Sequence, residues 1–103
     1  MTNIDQIIDS LTLDEKVSIL SGFNSWYTHK IKEKNVPSIK MSDGPNGVRG
    51  DSNSGKSSAC FPCAISIGST WDLELIKNIG VALGEEALAK DVDVLLGPTI
   101  NIH

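Results

Sequence analysis

Leu73, Ile76, Ile79, Leu83 and Ala87 recur at helical intervals, and residues 92–96 follow as a short apolar run stopped by Gly97-Pro98. No other feature constrains the fold as much. The first pattern places one apolar stripe on a helix, and the second reads as a strand with little polar relief. Asp72 or Thr70 can cap the helix start. Gly80 and Gly84, four residues apart, would allow another element to approach closely. Glu85, Glu86 and Lys90 fall on the side expected to be wetter. Upstream, Val36-Pro37-Ser38-Ile39-Lys40-Met41 leads into a short strand over residues 39–41. Strand, helix, strand is the order of a parallel βα unit, so the chain is α/β in class. A parallel sheet covered on both faces needs more strands than the two or three visible. Sequence order alone does not separate a doubly wound sheet from a barrel.

The first 38 residues form a helical lead-in to the β/α units of residues 39–103. Apolar residues at 4, 7, 8 and 11 have helical spacing. Thr12 with Glu15 makes a capping box for a second helix, with Leu13, Val17 and Leu20 on one face and Gly22 at its end. These read as two small packing helices. Phe23, Trp26, Tyr27 and His29 crowd a stretch of little periodicity, expected to be a loop with one or two helical turns. Such a cluster can stack on a sugar or a base, but it more often plugs a barrel mouth or core. His29 has no cysteine or carboxylate at ligand spacing, so no metal is expected.

Nine basic and 13 acidic residues give a formal charge of -4, poor material for holding a phosphate backbone. No apolar run approaches the roughly 18 residues that cross a bilayer. The N-terminus lacks a basic start and an apolar stretch, so the expected location is cytoplasmic. The chain ends in a buried-looking run, Asp93 to His103, with no solvating tail. That favours a piece of a larger protein.

Two motifs invite misreading. Residues 50–57 satisfy Gly-x-x-x-x-Gly-Lys-Ser literally. A phosphate loop needs a strand before it and a helix after it, because the helix N-terminus completes the anion site. Here a turn precedes, and Pro62 would fall inside the required helix. Cys60-Phe61-Pro62-Cys63 has dithiol spacing, but residues 64–67 after it read as extended, and further zinc ligands are lacking. Buried free thiols are the expectation.

Lys40-Met41-Ser42-Asp43-Gly44-Pro45-Asn46-Gly47-Val48-Arg49-Gly50 is a strand end running into a turn-rich loop. It closely resembles the N-terminal signature of glycoside hydrolase family 3, the large β-glucosidase family. The likeness continues through Ala59-Cys60-Phe61-Pro62-Cys63, Leu83-Gly84-Glu85-Glu86-Ala87 and residues 94–102. Residues 11–17 also look like the family's first helix.

The resemblance implies the N-terminal fragment of a (β/α)8-like (TIM) barrel and a retaining hydrolase of terminal non-reducing β-D-glucosyl residues. It implies that Asp43 binds sugar hydroxyls in the −1 subsite. The chemistry agrees, since an ionised carboxylate accepts two strong bonds from adjacent hydroxyls, and the C-terminal end of a barrel strand faces the active site. Arg49 is expected to pin the loop through a buried ion pair, and Trp26 and Trp71 to pack in the core. His103 lies near the mouth of the last strand. In the family the nucleophile and the acid/base come later in the chain, so no catalytic residue is assigned and residues 1–103 alone are expected to be inactive. The implied partners are a β-glucoside or oligosaccharide and the remainder of the same enzyme. A homo-oligomer is compatible with the reading; nucleic acid, membrane, metal and organic cofactor are not called for. The alternatives are a non-catalytic sugar-binding or structural fragment and a nucleotide-binding module built on residues 50–57.

Overall fold

The computed structural model describes residues 4–50 and 55–100. The chain divides into two compact units, Met1–Lys40 and Met41–His103.

In the first unit, α1 spans Ile4–Ser10 and α2 spans Leu13–Ile19. The capping box at Thr12 forms as the sequence suggests. Thr12 Oγ1 accepts from the Glu15 amide at 3.2 Å, and Glu15 Oε2 accepts from the Thr12 amide at 2.7 Å. That bond from the Thr12 amide holds the Glu15 carboxyl below the usual carboxylate range. The helix closes at Leu20 rather than at Gly22, which instead joins an antiparallel bridge to Thr28. Leu13, Val17 and Leu20 are exposed, so the expected packing of this face is not seen among the described residues.

Residues 23–38 are more ordered than their aperiodic sequence suggests. Asn24 Oδ1 accepts from the amides of Trp26 (2.9 Å) and Tyr27 (3.0 Å), turning the chain as its short amide side chain allows. Antiparallel bridges then link Tyr27 with Lys40 and Ile31 with Val36. A single 3-10 turn, Lys32–Lys34, closes on Asn35 in the left-handed region.

In the second unit, β1 (Met41–Asp43) pairs in parallel with β2 (Val94–Leu96), with Met41 opposite Val94 and Asp43 opposite Leu96. Helix α4 (Leu73–Ala89) makes the crossover, giving the βα unit read from the sequence. The first strand lies two residues later than expected. Ile39 is held instead by Thr28, whose hydroxyl accepts from the Ile39 amide at 2.8 Å while its own amide donates to the Ile39 carbonyl at 3.0 Å.

Residues 64–67 are a correction. They form a helix, α3 (Ala64–Gly68), not an extended segment. Ala64 and Ile67 are three apart, so a helix brings them to one side where a strand would separate them. Both line the same cleft. Ser69 and Thr70 donate their hydroxyls to the Ser66 and Ile67 carbonyls and satisfy groups at the helix end.

Helix α4 starts where Asp72 accepts from the Leu75 amide at 3.0 Å. It ends with Asp91 in the left-handed region (φ 53). There the Val92 amide reaches the Ala87 carbonyl at 2.9 Å and the Asp91 amide reaches that of Leu88 at 3.1 Å. This double closure satisfies carbonyls that a helix end leaves open, and it buries Val92. The apolar stripe from Ile76 to Ala87 lines an open cleft of about 520 Å³ with Leu95 on the other side. A methyl group added at Gly80 or Gly84 would meet no atom within 4 Å, so the close approach expected there is absent among the described residues. No helix among the described residues is long and apolar enough to cross a membrane.

Candidate functional site

Asp43 occupies the last position of β1. Its neighbour Ser42 is fully buried, whereas the Asp43 side chain is 61% exposed, as alternation along a strand requires. The loop after Asp43 turns back on the strand end. The Arg49 amide donates to the Asp43 carbonyl at 3.0 Å, and the Gly50 amide donates to Ser42 Oγ at 2.8 Å. Gly44 makes the turn at φ 126, and a Cβ there would sit 1.9 Å from the Gly47 carbonyl oxygen. Only glycine fits such a position.

Arg49 does not form the expected buried ion pair. Its guanidinium lies 4.0 Å from Asp43 Oδ2, with the two side chains 68% and 61% exposed. Water competes fully for such a pair, which contributes about 0–1 kcal/mol.

The loop is held instead from α4, by residues that the sequence reading placed on the wetter side. Glu86 Oε2 accepts from the Val48 amide at 2.7 Å, and Oε1 accepts from the Ala59 amide at 2.7 Å. Lys90 is buried to 3% exposure. Its ammonium donates to the Val48 carbonyl, to Ser58 Oγ at 2.6 Å and to Glu86 Oε1 at 3.3 Å. Desolvation pushes the Glu86 carboxyl up, but the Val48 and Ala59 amides and the Lys90 ammonium outweigh it, so its pKa lies below the usual carboxylate range. A signal was available. Glu86 follows Leu83 by three residues and Lys90 follows Ala87 by three, so both continue the apolar stripe rather than the wet face.

Other sequence expectations divide. Trp71 is 88% exposed, at φ 55, and Cys60 and Cys63 are exposed free thiols, so none of the three packs in the core of the described residues. The thiols flank a loop that emerges from the Ala59 contact and ends at Cys63, the N-cap position of α3, where its side chain makes no capping bond. Trp26 is half-buried. Phe23 and His29 meet edge to face at 5.4 Å and line a pocket of about 420 Å³ with Tyr27 and Lys30. His103 lies outside the described residues, as do 51–54 of the phosphate-loop text. The remainder of that text lacks its helix: α3 starts at Ala64, and Lys56 donates to the Ala89 carbonyl. The described residues bring no three His, Cys, Asp or Glu side chains together as a metal site.

The chemistry offered by Asp43 is therefore that of a solvent-facing carboxylate on a backbone fixed by its own loop. It can accept two hydrogen bonds from a vicinal diol. The apolar cleft beside α4 does not include Asp43 and has no charged lining residue.

Residues 3–103 match the family described as the glycosyl hydrolase family 3 N-terminal domain. A β-glucosidase of Rhizobium radiobacter is 55% identical over 102 residues, covering 97% of this chain and 12% of the relative. The crystal structure of a β-glucosidase from Kluyveromyces marxianus in complex with glucose superposes with a TM-score of 0.90 at 39% identity, over 99% of this chain and 12% of that one. β-Glucosidase 3B from Thermotoga neapolitana, also solved with glucose, superposes at 0.79 with 33% identity, over 97% of this chain and 17% of that one. The chain thus spans 12% of the length of curated relatives that it matches.

Proposed function

The chain belongs to the glycosyl hydrolase family 3 N-terminal domain family, and on that premise we propose that it is part of a retaining β-glucosidase in which Asp43 binds the −1 sugar. Its mixed α/β fold is that of the N-terminal portion of the family's (β/α) barrel. Residues 1–38 act as a helical lead-in and 39–103 supply the first β/α units. Terminal non-reducing β-D-glucosyl residues are the substrate, and glucose is what two of the superposing β-glucosidases carry.

In a retaining hydrolase one carboxylate attacks the anomeric carbon while a second carboxylic acid protonates the leaving oxygen. Water then cleaves the glycosyl-enzyme with the second group acting as base. In this reading both groups come from the rest of the enzyme, and residues 1–103 by themselves are inactive. Asp43 supplies binding: its carboxylate accepts from sugar hydroxyls, and those charge-assisted bonds hold the ring for attack. The remainder of the enzyme is the segment's partner, and homo-oligomers are compatible with it. The acidic balance goes with a neutral sugar rather than nucleic acid, and the free thiols Cys60 and Cys63 suit the cytoplasm.

The observation that carries the proposal is the exposed carboxylate at the C-terminal end of β1, in a segment that matches β-glucosidases throughout. In the full-length enzyme, Asp43→Ala should lower kcat/KM for aryl β-glucosides by at least about a hundredfold, the size of losing charge-assisted bonds to the reacting sugar. Unchanged kcat/KM would refute the assignment.

A further inference from the structure

We propose that Glu86, acting with Lys90, is a positioning residue for the Asp43 carboxylate; the inference rests on Asp43 being a sugar ligand. Glu86 on α4 and Lys90 at its C-cap hold both backbone groups of one residue, Val48. Glu86 Oε2 takes its amide at 2.7 Å, and the Lys90 ammonium donates to its carbonyl. Val48 is fully buried. The next two residues hold the strand end: Arg49 through the Asp43 carbonyl at 3.0 Å, and Gly50 through Ser42 Oγ at 2.8 Å. Gly50 also lies against Lys90, since a Cβ there would be 3.2 Å from Lys90 Cδ. A continuous set of bonds therefore runs from α4 through Val48 to the backbone of Asp43.

The site needs such a support. The exposed guanidinium of Arg49, at 4.0 Å, is too loose a partner to aim the carboxylate. Its direction is set by the backbone at the strand end, hence by the loop and by what anchors the loop. Helix α4 is a good anchor, with 17 residues, a side-chain cap at Asp72 and the double closure after Lys90. Glu86 touches no substrate in this scheme; it acts only through Asp43.

A double-mutant cycle in the full-length enzyme tests this, with 4-nitrophenyl β-D-glucopyranoside as substrate and circular dichroism as the check on folding. Glu86→Gln should lower kcat/KM by about ten- to a hundredfold when Asp43 is present, the range expected when a binding group shifts by a fraction of an ångström to 1 Å. In an Asp43→Asn background the same change should cost less than about threefold, because the group it positions is already gone. Equal losses in both backgrounds, with Asp43→Asn itself strongly impaired, would overturn the positioning role alone. An Asp43→Asn enzyme with unchanged kcat/KM would instead overturn the reading of Asp43. If Glu86→Gln does not fold, Ser58→Ala is read in the same cycle, since Ser58 Oγ bonds both the Val48 carbonyl and Lys90. It should then cost about threefold with Asp43 intact and nothing without it; no loss, or equal losses, would refute the proposal.

Discussion

Replacing Lys90 by methionine isolates what the buried ammonium does for the loop. Methionine keeps most of the stem and removes the bonds donated to Val48, Ser58 and Glu86. The groups left behind are not stranded. Ser58 Oγ still donates to the Val48 carbonyl at 2.7 Å, and the Glu86 carboxylate still accepts from two backbone amides. The full penalty for breaking a buried ion pair, about 3–5 kcal/mol, is therefore an upper bound. Lost bonds to a charged group are worth about 1.5–3 kcal/mol each, partly offset by retained partners and by the apolar sulfur. About 2–4 kcal/mol is expected for Lys90→Met on this reasoning. Removing Glu86 with alanine should cost more, because it strands the amide of the fully buried Val48 and removes the carboxylate that faces a buried ammonium.

Amide exchange followed by mass spectrometry reads this locally in the full-length enzyme, where one global unfolding energy is not defined. At about 1.4 kcal/mol per tenfold, peptides covering residues 44–50 and 55–61 should lose roughly 30- to 700-fold of their protection in Lys90→Met. Glu86→Ala should lose more. Protection within about twofold of wild type in Lys90→Met, or Lys90→Met worse than Glu86→Ala, would refute the account of how α4 holds the loop.

The depressed pKa of Glu86 makes the same contact pH-dependent. Its folded pKa lies below the ordinary value of 4.5, so its contribution is complete above that pH and is lost as the pH falls through the folded value. Amide-exchange protection of residues 44–50 in wild type and Glu86→Gln should thus converge as the pH drops below 4.5; a difference that stays constant from pH 7 to 3 would argue against a native-state carboxylate. Gly44→Ala should displace the loop, because the new Cβ would sit 1.9 Å from a backbone oxygen at a φ that L side chains rarely adopt. A loss of at least about 1–3 kcal/mol in local stability and a marked fall in kcat/KM are expected, and wild-type kinetics would show that the turn is not needed.

Much of the fold was legible because local rules and tertiary structure agree. The Thr12–Glu15 box, the Asp72 cap and the helix from Leu73 are settled within a few residues of chain, where side-chain oxygens meet the first open amides. Residues 64–67 failed because β-branched isoleucines in a short apolar run fit a strand or a helix equally well. Over residues 23–38 the loop with a helical turn was legible, but the isolated bridges were not, since they leave no periodicity to find. Asp43 was legible at the end of β1, though the strand itself was displaced by two residues. Arg49 was misread as buried, since charge and loop position say nothing about depth.

What the amino-acid order determined by itself was therefore local: caps, helical stripes, the strand–helix–strand order, the glycines of the turn, and a run of motifs specific enough to identify a family. The tertiary structure decided which charges are buried. Glu86 and Lys90 continue the apolar stripe of the helix, but what covers them appears only when Val48, Ser58 and Ala59 are laid across them. Only then do two backbone amides bind the part-buried Glu86 carboxylate and a carbonyl the buried Lys90 ammonium, which makes their desolvation tolerable. Their partners lie 27 to 42 residues away in the chain, a separation across which propensity and periodicity carry no information.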